Sequence, residues 1–232
     1  MIRIEHLEKR YSPPGGDSPI VLGFDSLTIA PSQQVAVAGP SGSGKTTLLS
    51  MIGGFVEPSS GGVTWNGLPW PGKPGALSAR ARARRVGFVF QELNLLPSLS
   101  LFENLEAAGR FLGLPEADPV IRRALERVGL AKRLRHKPDQ LSRGERQRAA
   151  VARAALYPHE LILADEPTAS LDRTNADLVM DFLIGMALDN GSALLVATHD
   201  PLVMETLPCR FDLPARRIAV GSARRKGTLP GP

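Results

Sequence analysis

Hydrophobic and polar positions along the chain change period several times. At the start Ile2 and Ile4 alternate with charged residues, and a second strand-like stretch covers 20–29, separated from the first by a Pro/Gly-rich turn at 12–19. Gln34-Val35-Ala36-Val37-Ala38 is a short apolar run stopped by Gly39-Pro40, the pattern of a buried strand. A glycine-rich loop follows, then a helical pattern over 46–52. Val63-Thr64-Trp65 and Val86-Gly87-Phe88-Val89-Phe90 predict further strands. From 101 to 156 the pattern changes to about three helical stretches, rich in Arg, Ala, Leu and Glu, with no clear strand. Strand texture returns at 161–164 and 193–197, with an amphipathic helix over 176–188 between them, polar at Asp177 and Asp181. Strands alternating with helices predict an α/β fold with a parallel sheet and right-handed crossovers. The strand-free middle predicts an inserted helical lobe of roughly 60 residues.

Composition adds limits. The 232 residues, 43% hydrophobic and 22% charged, suit one globular domain, or one domain carrying a small inserted lobe. The single cysteine, Cys209, excludes an intramolecular disulfide framework and points to a reducing compartment. No apolar run approaches the roughly 18–20 residues that cross a bilayer, and the first residues lack the apolar stretch of a signal peptide. The net charge of +5 is confined to one end: Arg210, Arg216, Arg217, Arg224, Arg225 and Lys226 face only Asp212, so residues 1–209 are neutral overall. Residues 222–232 read as a disordered basic tail, and nucleic-acid binding is not expected from it. A second basic run, Arg80-Ala81-Arg82-Ala83-Arg84-Arg85, reads as a solvated helix face.

Gly39-Pro40-Ser41-Gly42-Ser43-Gly44-Lys45-Thr46 matches G-x-x-x-x-G-K-[ST], with an apolar strand before it and an apolar helix after it. Glycines let the backbone curl so that successive N–H groups face one concavity and cradle phosphate oxygens, and the helix start near Gly44 adds a positive end. Lys45 would reach the β- and γ-phosphates, and the Thr46 hydroxyl would ligate Mg²⁺. Leu161-Ile162-Leu163-Ala164-Asp165-Glu166 supplies two carboxylates at the end of a buried strand, where open α/β sheets bind ligands. Asp165 is suited to the Mg²⁺ shell, and Glu166 to general-base activation of a water attacking the γ-phosphate. His199 follows another strand; by itself it is equally an ordinary surface histidine or a γ-phosphate contact.

Together with further motifs in order, these residues resemble the ATP-binding subunits of ABC transporters over essentially residues 1–213. Gln91 in Phe88-Val89-Phe90-Gln91 resembles the family's Q-loop glutamine. Leu141-Ser142-Arg143-Gly144-Glu145-Arg146-Gln147-Arg148 resembles the signature, Ser170-Leu171-Asp172 the D-loop, and Thr198-His199-Asp200 the switch histidine. The resemblance implies a P-loop NTPase fold of the ABC ATPase type: a mixed β-sheet core, an N-terminal antiparallel β part, and a helical lobe at about 92–157 within one domain over 1–221. It implies ATP and Mg²⁺ as ligands, with Tyr11 stacking on adenine and the loop from Gly39 to Thr47 on the phosphates. Gln91 joins Thr46 and Asp165 at the metal, and Gln91 and His199 join Lys45 and Glu166 in catalysis. It also implies that two copies pack head to tail, so that Ser142, Gly144 and Asp172 act at the nucleotide of the partner.

The signature departs from the family pattern. Arg143 stands where the first of two glycines is usual, and Glu145 where glutamine is usual. Gly87-Phe88-Val89-Phe90-Gln91, Asn94-Leu95-Leu96-Pro97, Glu103-Asn104 and the run from Ala164 to Asp172 are similar to the bacterial lipoprotein-release and macrolide-export ATPases, though amino-acid importers share much of this wording. That branch implies a cytoplasmic ATPase peripheral to the inner face of the membrane. Its permease docks in a groove at 91–102, lined by Leu95, Leu96, Leu99 and Phe102. The alternative is a non-transport ATPase of the same fold, a regulator or scaffold of the cell-division or iron–sulfur-assembly type.

Overall fold

The computed structural model describes residues 1–11, 20–70, 79–114, 116–169, 171–213 and 217–218. The turn at 12–19, Ser170 of the D-loop and the basic tail at 222–232 lie outside them. In chain order the strands are β1 (Ile2–Tyr11), β2 (Ile20–Ile29), β3 (Gln34–Ala38), β4 (Ser60–Trp65), β5 (Leu68–Pro69), β6 (Val86–Val89), β7 (Leu161–Asp165), β8 (Ala193–Thr198), β9 (Cys209–Asp212) and β10 (Arg217–Ile218). The helices are α1 (Lys45–Ile52), α2 (Ala79–Arg85), α3 (Leu101–Leu112), α4 (Ala117–Arg127), α5 (Arg143–Ala154), α6 (Arg173–Asn190) and α7 (Pro201–Glu205).

The β structure divides into two sheets. One is antiparallel, in the order β10-β2-β1-β4-β5; the other is parallel, in the order β6-β7-β8-β3-β9. Every residue of β3, β6, β7 and β8 is buried, as apolar strands covered on both faces should be. Their side chains alternate between two cores. Ala36, Val89, Ile162, Ala164, Leu194 and Val196 pack toward the helices between β6 and β7 and toward α6. Val35, Val37, Phe88, Leu163, Leu195 and Ala197 pack toward α1 and the antiparallel sheet. In β1, Ile2, Ile4 and Leu7 point into that second core, and the skipped position is a bulge. There Gly61, at φ 73°, lies so close to the His6 carbonyl that a Cβ would sit 2.1 Å from its oxygen, so only glycine fits.

Helices α3, α4 and α5 lie between β6 and β7, which nevertheless pair directly, Val86 opposite Leu161. Among the described residues no helix is long and apolar enough to cross a membrane. The arginines of α2 differ from the solvated face expected of them. Arg85 forms two hydrogen bonds to the Glu160 carboxylate at 2.7 and 3.0 Å and lies 4.7 Å from the Trp65 ring centroid. Arg82 stacks over Phe55, and Arg84 Nε donates to the Leu112 carbonyl at the C-terminal end of α3. The guanidiniums find aromatic faces and free helix carbonyls within reach, so the run fastens α2 to its neighbours.

Candidate active site

Register places the site. Ala38 of β3 is paired with Thr198 of β8, Asp165 of β7 with Ala197 of β8, and Val89 of β6 with Ala164 of β7. The residues that follow each strand therefore emerge on one edge: Gly39 onward, Gln91, Glu166 and His199. Gln91, Glu166 and His199 line a cavity of about 770 Å³ together with Tyr11, Leu22, Pro40, Ser41, Gly42, Gly44, Lys45, Thr46, Thr47, Asp165 and Ala169, whereas Gly39 and Ser43 lie behind its wall.

The loop between β3 and α1 is shaped by glycine. Gly42 and Gly44 have φ of 76° and 100°, and a Cβ on Gly44 would lie 3.0 Å from Leu22. Lys45 is buried; its Nζ donates to the Gly39 carbonyl at 2.8 Å and the Pro40 carbonyl at 3.3 Å, and sits 3.4 Å from Glu166 Oε1. The same Glu166 oxygen lies 2.9 Å from His199 Nδ1, and since an ionised carboxylate only accepts, Nδ1 is the donor of that bond. Glu166 itself holds a left-handed φ of 48°, its N–H donating to the Ala197 carbonyl at 2.8 Å. Such a backbone is strained for a residue with a side chain and is held by the surrounding strand ends.

Asp165 is 2% exposed, and burial holds its carboxyl above the ordinary range. The Thr46 hydroxyl bonded to it and the Lys45 charge pull the other way, while the Glu166 carboxylate pushes with the burial. Two buried oxygens here have no protein partner, Ser43 Oγ and Asp165 Oδ1. A curled glycine loop, a buried ammonium and an unpartnered serine hydroxyl suit a polyphosphate. A hydroxyl and a carboxylate with a free oxygen, side by side, suit a hard divalent cation. Tyr11, 40% exposed at the cavity mouth, shares a hydrogen bond with the Thr47 hydroxyl at 3.3 Å, leaving ring surface open to a flat partner.

Ser142, Gly144 and Asp172 do not line this cavity. Ser142 caps α5, accepting from Glu145 N–H at 3.2 Å, while Glu145 accepts from Ser142 N–H at 2.9 Å, a reciprocal capping box. The Ser142 N–H, with the Arg133 guanidinium 2.9 Å away, holds Glu145 below the usual carboxylate range. The unusual glutamate is thus neutralised at a helix start that favours it. Asp172 caps α6 through Asn175 N–H at 2.9 Å, and the Asn175 side chain also receives Arg148 from α5. Arg143 is exposed, with no ion pair among the described residues.

Three contributors were given no role of their own by the sequence, although Thr198 and Asn104 lie within runs that carry the resemblance. Leu22 lies beneath Gly44, and Thr198 donates to Glu166 Oε2 at 3.4 Å. Asn104, 4% exposed, bonds Leu96, Leu99 and Ser100 and so shapes the loop after Gln91. Only the last could have been suspected, as a polar residue on the apolar side of a helix.

Residues 23–169 match the family model described as ABC transporter. The chain is 40% identical over 219 residues to the lipoprotein-releasing system ATP-binding protein LolD 1 of Rhodopirellula baltica, covering 92% of this chain and 93% of the relative. It is 38% identical over 202 residues to the uncharacterized ABC transporter ATP-binding protein YbbA of Escherichia coli, covering 86% and 88%. The dimeric structure of MJ0796, a bacterial ABC transporter cassette, superposes with a TM-score of 0.85 at 32% identity, covering 92% and 94%. The same cassette in a post-hydrolysis dimer bound to ADP and Pi gives 0.84. The chain belongs to the ABC transporter family, as an ATP-binding subunit with that family's P-loop NTPase fold and ATPase activity.

Proposed function

We propose that this subunit hydrolyses ATP at a site completed by a second copy and transmits the cycle to a membrane permease of the lipoprotein-release type. The carrying observation is the separation of two half-sites. One edge of the parallel sheet gathers Lys45, Asp165, Glu166 and His199, while the capped N-terminus of α5 lies outside that cavity, with Ser142 exposed and Gly144 partly so. The lipoprotein-releasing relatives and the dimeric cassette support this reading over the regulator or scaffold alternative.

In the proposed mechanism the N–H groups of the loop from Gly39 to Thr47 and the Lys45 ammonium bind the phosphates, and Tyr11 receives the adenine. Thr46, Asp165 and Gln91 would hold Mg²⁺, which when bound neutralises charge on the phosphate oxygens. Lys45 now balances the Glu166 carboxylate; phosphate drawing Lys45 away frees Glu166 to take a proton from the attacking water. His199 orients that carboxylate through Nδ1–H, and it would meet the γ-phosphate as a donor through Nε2–H when both ring nitrogens carry protons. Ser142, Gly144 and the positive end of α5 meet the phosphate of the partner's nucleotide, and Asp172 lies at the contact between copies. Loss of the γ-phosphate removes those contacts and opens the dimer.

The same reading takes residues 1–221 as one domain with the lobe at 92–157, supported by the direct pairing of β6 with β7 on either side of it. It sets the subunit on the cytoplasmic face of the membrane, the permease engaging the loop at 91–102, where Leu96 is 51% exposed. The test is affinity capture of tagged Glu166→Gln protein with ATP from detergent-solubilised native membranes. Recovery of a polytopic permease with a large extracytoplasmic domain is expected; recovery of division or iron–sulfur-assembly proteins alone would remove the transporter reading.

A further inference from the structure

Three arginines of α5 each bind a different segment. Arg146 donates to the carbonyls of Pro138 and Leu141 just before the helix, and Arg148 reaches Asn175 at the start of α6. Arg153, in the last turn, donates from Nη1 to the Asn94 carbonyl at 2.6 Å and from Nη2 to the Leu93 carbonyl at 3.0 Å. No carboxylate pairs with Arg153 among the described residues, and burial disfavours its charged form. A half-buried guanidinium held by two neutral carbonyls adds little by charge pairing; what its rigid fork supplies is geometry.

Residues 91–100 contain no strand or helix, and Asn94 has a left-handed φ of 50°. Their second half is fixed to α3 by Asn104; their first half, beginning at Gln91 on the cavity wall, meets α5 through Arg153. The 12 residues of α5 span about 18 Å. The grip at one end is two residues from Gln91, and the other end is the capped Ser142.

We infer that Arg153 is a positioning residue that makes α5 and the Gln91 backbone move as one body, so that nucleotide in one copy's cavity sets the helix end presented to the other copy. This rests on the proposed sharing of the site between two copies. Arg153 touches no reacting atom and acts through Gln91 on one side and Ser142 on the other.

The test is a double-mutant cycle of Arg153→Met with Gln91→Ala, read as steady-state ATPase activity, nucleotide affinity of the monomer, and ATP-dependent dimerisation in the Glu166→Gln background. Arg153→Met should lower kcat about tenfold, as small displacements of positioned groups do. Monomer affinity for ATP should stay within about twofold, and the dimer Kd should rise about tenfold. The doubly substituted protein should be no slower than Gln91→Ala alone, and Arg153→Lys, which keeps one donor direction, should fall between Met and the native residue. Multiplicative losses in the double variant, or an unchanged dimer Kd, would reduce Arg153 to a structural role and overturn the inference while leaving the shared site standing. A Gln91→Ala protein with native turnover would overturn the inference alone, whereas a Glu166→Gln parent that stays monomeric with ATP would overturn the shared-site reading as well. If Arg153→Met does not fold, the same cycle on Arg153→Lys decides, with non-additivity again expected.

Discussion

The two ends of functional chemistry in this molecule are built in opposite ways. At the edge of the parallel sheet, charged groups from three strand ends contact one another: Lys45 lies 3.4 Å from Glu166, Glu166 accepts from His199, and Thr46 bonds Asp165. At the start of α5, Ser142 and Glu145 satisfy each other's backbone, Arg133 neutralises Glu145, and Arg143 extends without an ion pair among the described residues. The first region holds unpartnered buried oxygens and strained backbone, the marks of a site awaiting a ligand of its own. At the second the capping box satisfies Ser142 and Glu145 and leaves Ser142 and Arg143 exposed to whatever is brought to them, while Gln147 Nε2 and Arg148 Nε deeper in α5 are buried without a partner. Chemistry is concentrated where the fold can hold opposed charges; the signature requires only a rigid, well-capped helix end.

This contrast can be broken from either side. The largest effect belongs to Glu166→Gln, which should lower ATP turnover by about 10²–10⁴-fold while binding is retained, as measured by phosphate release and equilibrium nucleotide binding. Lys45→Ala removes a charged donor to the phosphates and should weaken ATP binding roughly 30- to 700-fold by titration calorimetry; near-native affinity would refute the phosphate assignment. Asp165→Asn should raise the thermal midpoint at neutral pH while removing the gain in nucleotide affinity that Mg²⁺ gives. The sign follows from its raised folded pKa: the native state binds the proton more readily than the unfolded chain, so the stability Asp165 contributes is complete below its ordinary range and lost as pH rises through the raised value. The advantage of Asn should therefore shrink as the pH is lowered toward 4, which melts across a pH series will show.

At the α5 end the effects are smaller and fall on stability. Glu145→Ala should cost about 1 kcal/mol in denaturant unfolding, the worth of a capping interaction. Glu145 is depressed in the folded state, so its contribution is present above the unfolded pKa, near 4.5, and is lost as pH falls through the lower folded value. Smallest of all, Arg143→Gly should leave the ATP affinity of the monomer within about twofold of native; a larger change would place the signature in the chain's own cavity.

Much of this arrangement is written in short runs of sequence. Strands β3, β6, β7 and β8 are legible because burial on both faces leaves them almost continuously apolar, and the motif residues are legible because they follow those runs directly. The capping box, with Ser142 and Glu145 three apart, was equally available as a helix-start pattern. Other features were not. β9 alternates half-buried and exposed residues at a sheet edge, so Cys209-Arg210-Phe211-Asp212 carries no strong strand pattern. The Arg80–Arg85 run is indistinguishable from a solvated face until Phe55, Trp65, Glu160 and the end of α3 are brought beside it. Arg153 and Asn104 bind backbone carbonyls at sequence separations that no local pattern encodes. Local chemistry can be read from neighbouring residues, whereas tertiary polar contacts to backbone cannot.

The most direct test of the divided site is multi-angle light scattering of Glu166→Gln protein with Mg²⁺ and ATP, alone and carrying Gly144→Asp. The divided site predicts that the mass doubles with ATP, and that Gly144→Asp abolishes the doubling while nucleotide binding by the monomer persists. A mass that stays monomeric in the Glu166→Gln protein, or a dimer indifferent to Gly144→Asp, would contradict it.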